Sequence, residues 1–166
     1  ANGNHVANGS ACGGSSVPPV WIPANVFDSN CAADTIPAWT SGTDVSLKSM
    51  TQSSGCGTVT KYYLSSSWSG TITFDAIVIL NTTSTTVFTL TPVSRCYTPT
   101  STVYPQTRNT GTGVNTTPTG VALVSYKVTM TIPNTGCSVG DQIMLGFDQT
   151  SASGYTVFLI GGTLTL

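Results

Sequence analysis

The side chains in this 166-residue chain that could do acid–base or nucleophilic chemistry are few: one histidine (His5), six aspartates, no glutamate and five cysteines. Nucleophile–histidine–acid catalysis needs an imidazole oriented by a third group. His5 stands in Ala-Asn-Gly-Asn-His-Val-Ala-Asn, with no acid beside it, and reads as a solvated or interface residue. Glycoside hydrolysis needs two carboxyls about 5–10 Å apart. Asp75 falls on the polar face of a predicted strand, Asp34 and Asp44 fall in predicted turns, and Asp28 follows an apolar run. Asp141 and Asp148 flank a predicted strand, and extended chain of that length separates them by about 23 Å, too far for a direct pair. No Asp-x-Asp-x-Asp run clusters oxygens for calcium. The chain is therefore expected to be no enzyme and to hold no metal and no cofactor.

Cys12, Cys31, Cys56, Cys96 and Cys137 are dispersed singly, without the close C-x-x-C pairs of zinc sites. Dispersed cysteines in such a chain read as disulfides of an oxidising compartment. Five is odd, so Cys31, Cys56, Cys96 and Cys137 are taken as the intrachain candidates, with their pairing open. Cys12, alone in a Gly-rich segment, is taken as unpaired or intermolecular. Asn8, Asn81 and Asn115 each begin an Asn-x-Ser/Thr sequon in a predicted loop or turn, where a glycan is tolerated. With 50 Ser and Thr among 166 residues, however, three sequons are no more than chance supplies. Trp21, Trp39, Trp68 and the six tyrosines could stack on sugars, although tryptophan in a thin sandwich usually packs in a core or interface. Tyr97 and Tyr104, in a long predicted loop, are the best ligand-binding candidates.

The elements that must position these residues follow from composition. Only 7% of the chain is charged, against about 25% in ordinary domains. Thirty Thr and no Glu favour strands over helices. A net charge of −1 with five scattered cations cannot neutralise a run of phosphates, so nucleic acid is excluded as a partner. No apolar run approaches the ~20 residues of a membrane-spanning helix, so membrane insertion by a helix is excluded too. The chain opens at Ala1 with no basic-then-apolar leader, so any export signal is expected to have been removed.

Residues 1–19 carry almost no apolar bulk and should be disordered alone. They are expected to form an extended assembly arm preceding a domain of residues 20–166. Strand-like patterning begins at 20–27 and recurs at 44–50, 57–64, 70–80, 84–93, 122–132, 142–147 and 154–166. In 70–80, Ile72, Phe74, Ala76, Val78 and Leu80 alternate with polar neighbours, giving one buried and one wet face. Residues 94–120, rich in Thr, Pro and Gly, read as one long connection of a functional or tethered kind. About eight strands without a helix predict an all-β antiparallel sandwich of jelly-roll type.

Four segments resemble jelly-roll surface proteins of tailed phages and other virions. They are Ile22-Pro23-Ala24, Ser67-Trp68-Ser69-Gly70-Thr71-Ile72-Thr73, a long alternating strand ending near Gly140-Asp141, and the C-terminal strand from Gly154 to Leu166. The resemblance implies a non-enzymatic trimer or higher assembly displayed on a particle or appendage. The cysteines and the Asn/Gly-rich arm fit equally an exported subunit of an extracellular fibre on a similar sandwich. The leading expectation is a structural subunit of an extracellular filament or virion surface fibre. It would polymerise by strand exchange through an assembly segment that includes Val17, Val20, Trp21, Ile22, Ala24 and Val26, with the alternate residues Val20, Ile22, Ala24 and Val26 entering a neighbour's core. The alternative is a receptor- or glycan-binding tip with 94–120 as the recognition surface. With six Asp, one His and the termini as the groups titrating below neutrality, stability should vary little between pH 7 and about pH 3.

Overall fold

The computed structural model describes residues 18–24, 27–29, 48–50, 57–66, 68, 70–80, 82–100, 107–151 and 156–166. Eleven strands lie among them: β1 (Val20–Pro23), β2 (Asp28–Ser29), β3 (Lys48–Met50), β4 (Gly57–Tyr63), β5 (Thr73–Leu80), β6 (Phe88–Tyr97), β7 (Asn109–Thr110), β8 (Val114–Thr116), β9 (Ser125–Thr131), β10 (Gln142–Ser151) and β11 (Val157–Thr165). No α-helix occurs among the described residues. The eight segments read as strands from the sequence correspond to β1, β3, β4, β5, β6, β9, β10 and β11. Three short strands, β2, β7 and β8, are added to them.

Two antiparallel sheets pack face to face. In the first, β11 pairs with β5 and β5 with β9, while β1 and β3 share the other edge of β11. In the second, the order is β2, β4, β10, β6, with β7 and β8 sharing the outer edge of β6. From β3 onward the pairs β3·β11, β4·β10, β5·β9 and β6·β8 nest inside one another. This is one long hairpin, bent after β6, wrapped around a core so that successive strands alternate between sheets. The architecture is the jelly roll expected from the strand count.

Alternation puts the bulky residues between the sheets. Phe74, Ala76 and Val78 of β5, Leu90 of β6, Val128 and Met130 of β9, Ile143, Leu145 and Phe147 of β10, and Leu159 and Leu164 of β11 are all buried in one core. Three phenylalanine rings join the layers. Phe74 stacks on Phe147 with centroids 5.1 Å apart, and Phe27, on the connection from β1 to β2, closes on both at 5.9 and 6.0 Å.

The long connection read at 94–120 is corrected: β6 continues to Tyr97, and the chain then returns as β7 and β8 along its edge. Pro92, inside the strand read at 84–93, does not interrupt it. Its carbonyl accepts a hydrogen bond from the Gly111 amide at 2.9 Å, so its missing N–H also points to the β7–β8 side, and no β10 ladder bond is lost. β10 likewise runs past Phe147 to Ser151, pairing throughout with β6.

The register of β11 shifts at Ile160, and Gly161 there has φ +152°, a conformation side chains rarely adopt. A Cβ on the next residue, Gly162, would collide with the Phe74 ring and the Asp75 carbonyl, so the glycine is what lets the ring lie flat on β11. Gly162→Ala is expected to destabilise the fold by about 1–3 kcal/mol through overpacking, read as a lowered melting temperature in a denaturation experiment.

Candidate functional site

Three of the described carboxylates are each engaged separately. Asp75, on the outer face of the first sheet, pairs with Lys127 Nζ at 2.7 Å and accepts the Thr129 hydroxyl at 2.6 Å. The Lys127 ammonium, and secondarily the Thr129 hydroxyl, hold its carboxyl below the usual carboxylate range. Asp148 is ion-paired with Arg108 on the outer face of the second sheet. It lies within β10 instead of flanking it, a correction to the sequence reading. Asp141 is buried, and its Oδ2 accepts the Ser138 amide at 2.8 Å to close the turn before β10. These three carboxylates thus occupy two opposite faces and a turn, each with its own partner. Asp28 is in β2, while Asp34, Asp44 and His5 lie outside the described residues. No cluster of three His, Cys, Asp or Glu side chains occurs among the described residues.

Cys96, on β6, forms a disulfide with Cys137, in the turn between β9 and β10, with Cα atoms 5.3 Å apart. It links the second sheet to the connection that crosses from the first. Cys12, Cys31 and Cys56 lie outside the described residues, as do Val17, Val26, Tyr104, Trp39, Tyr155, Asn8 and Asn81. Asn115, on β8, is exposed, and its Oδ1 accepts the Thr89 hydroxyl at 2.7 Å.

The disulfide end of the second sheet carries the most distinctive outward surface. Gln142 pairs with Tyr63 on one side and Tyr97 on the other, so register alone sets these three residues in a row across β4, β10 and β6. Tyr63 is 58% exposed, Gln142 is exposed and Tyr97 is half-buried. Two strand intervals of about 4.8 Å put the tyrosines roughly 10 Å apart. The next outward residues in the register are Met144 and Arg95, with Lys61 of β4 paired to Met144 on the other side. The backbone behind the row is tied down, since the Leu64 amide donates to the Asp141 carbonyl and the Gly140 amide to the Leu64 carbonyl, both at 2.9 Å. Tyr97, expected in a loop, is in fact the last residue of β6, next to the disulfide-bonded Cys96.

The first sheet presents a second surface. Trp21 and Pro23 of β1 point outward, opposite Thr163 and Gly161. A Cβ on Gly161 would stand 2.6 Å from the Trp21 ring, so the indole occupies the space a side chain would take. Trp21 is 51% exposed. Beside it on this face lie Ile77, Thr163 and the Asp75–Lys127–Thr129 group, and Ile79, Phe158 and Ile160 form a separate apolar cluster. The alternate residues Ile22 and Ala24 are buried in the chain's own core, and β1 pairs with the chain's own β11. Of the other aromatics, Tyr62, Trp68 and Tyr126 pack against the core. The Tyr126 hydroxyl accepts the Thr119 amide at 3.0 Å, and the buried Trp68 Nε1 finds no hydrogen-bond partner among the described residues.

No protein-family model and no curated protein matches the chain. Among solved structures the chain is similar to a xylan-binding module, CBM15, at a TM-score of 0.51 and 12% identity, over 89% of this chain and 95% of that one. It also aligns with a structure of infectious bursal disease virus, Gt strain, at a TM-score of 0.39 and 12% identity, over 91% of this chain and 32% of that one. At such identity the likeness to the xylan-binding module is one of fold.

The Asp75–Lys127 pair contributes to the acid response. Because the folded pKa of Asp75 is lowered, its contribution to stability is present above the ordinary Asp value near 4 and is lost as pH falls through the lowered folded value. The group is at the surface, where such pairs contribute at most about 1 kcal/mol. Circular dichroism is therefore expected to show stability almost constant from pH 7 to about pH 4, declining slightly below. Asp75→Asn should remove part of that decline. A cooperative unfolding transition near pH 4 is the contrary result.

Proposed function

We propose that this chain is an exported, non-enzymatic structural subunit that assembles with copies of itself into an extracellular filament or virion-surface fibre by exchanging β1. One observation carries the reading. β1 is a four-residue edge strand, yet it contributes Ile22 to the core beside β11, and Ala24, just after it, is buried there too. The same segment from a neighbouring chain would reproduce every one of those contacts, so exchange costs no packing and is decided by linker geometry and concentration. The fold is one used by capsid and lectin domains. The Cys96–Cys137 disulfide supports an oxidising, extracellular or virion location. The division into an arm of residues 1–19 and a domain of 20–166 belongs to the same proposal.

The test is electron microscopy and sedimentation of the full chain and of a form lacking residues 1–19, with a synthetic peptide of residues 17–27 as competitor. The full chain should form polymers that the peptide shortens and the truncation weakens. A full chain that stays monomeric, or polymers indifferent to both treatments, would contradict the proposal.

The Tyr63–Gln142–Tyr97 row favours a second reading, a glycan-binding tip module. Aromatic faces stack on sugar rings, an amide bonds their hydroxyls, and a sandwich of the same fold binds xylan. This moves the recognition surface from the 94–120 connection to the adjoining sheet face. Affinity electrophoresis against a polysaccharide panel should show retardation that Tyr63→Ala reduces about tenfold or more. Equal migration of both proteins in every gel counts against it.

A further inference from the structure

Resting on the glycan-binding reading, the geometry points to an anionic polysaccharide, one carrying carboxylates or sulfates, as the ligand of the second sheet's outer face. We infer this from where a charge-poor chain puts its cations. It has five in all. Lys127 is paired with Asp75 and Arg108 with Asp148, and Lys48 is in β3 on the other sheet. The remaining two, Lys61 and Arg95, fall opposite the same residue, Met144, from its two sides. That row is next to Tyr63, Gln142 and Tyr97 in the register. Two acids share this side of the sheet by register: Asp28 of β2, opposite Val59 and one row from Lys61, and Asp148, two outward positions further along β10 and engaged by Arg108. Arg95 is half-buried and forms no ion pair with a described residue.

A polymer lying across β4, β10 and β6 would stack alternate rings on the two tyrosines, whose spacing of roughly 10 Å across two strand intervals is about two pyranose residues. Acidic groups on one edge of that polymer would then meet the second row. Arg95 can engage a carboxylate or sulfate through two parallel N–H donors, the geometry that makes guanidinium–anion contacts strong and directional. The half-buried setting limits how far salt screens the contact. A neutral xylan or glucan would use the tyrosines and leave Arg95 without an anionic partner.

The test is affinity electrophoresis of the full chain against polygalacturonate, dextran sulfate and an uncharged β-1,4-xylan, with Arg95→Gln, Lys61→Gln and Tyr63→Ala checked for unchanged melting. The inference expects retention on an anionic polymer, weakened about tenfold by Arg95→Gln, weakened by rising salt, and abolished by Tyr63→Ala. Retention on polygalacturonate alone or on dextran sulfate alone identifies the anion. Equal or stronger retention on the uncharged xylan, with Arg95→Gln silent, overturns the anionic assignment and leaves the glycan reading standing. No retention on any of the three overturns both.

Discussion

The contact between Phe74 and Phe147, with Phe27 closing on both, is the interaction on which the rest of this structure depends. Two sheets that are each polar on one side have no other reason to meet face to face than the apolar side chains between them. The three rings sit where β5, β10 and the connection from β1 come together. Their demand reaches into the backbone, because the Phe74 ring needs the bare surface of Gly162 in β11. The shift at Ile160 and the open space at Gly161 follow in the same strand, and there the indole of Trp21 rests on the outer face. The core and one of the two outward surfaces are thus coupled through three consecutive residues of β11.

Once the core is closed, charge has little left to do inside the molecule. Two of the five cations pair with surface carboxylates, one on each sheet, and a third carboxylate, Asp141, is spent on a turn. Such a molecule has no pair of carboxyls poised at a common site among its described residues. What it presents instead are sheet faces and strand edges whose residues are set in rows by register.

The fold class was legible because the inward positions of β5 and β9 are filled with large apolar residues at strict alternation. Phe74, Ala76 and Val78 oppose Met130, Val128 and Tyr126, and nothing in either segment disturbs the period. Legibility failed where alternation was carried by small or polar residues. β6 continues inward past Val93 through Ser94 and Cys96, which read as the start of a connection, and β10 continues through a buried Gln149. The short β7 and β8 carry no pattern of their own, because they are held to β6 by backbone bonds and need no apolar face. The Tyr63–Gln142–Tyr97 row was hidden for a different reason. Its members are far apart in the chain, and only the pairing of three strands brings them side by side. Tyr97 was singled out as a loop residue, while Tyr63 at the end of β4 and Gln142 at the start of β10 gave no local sign of being its neighbours.

The account turns on whether the slot beside β11 is filled from within the chain or from outside it. The four residues of β1 are an edge, and edges of this kind are the places where sandwiches either end or join another copy. The most direct measurement is a cryo-electron microscopy reconstruction of the assembled protein at a resolution that traces the backbone. The strand paired with residues 161–164 should be Val20–Pro23 of a neighbouring subunit, with its Ile22 in the recipient's core. A reconstruction in which every β1 connects to the β11 of its own chain would contradict the account.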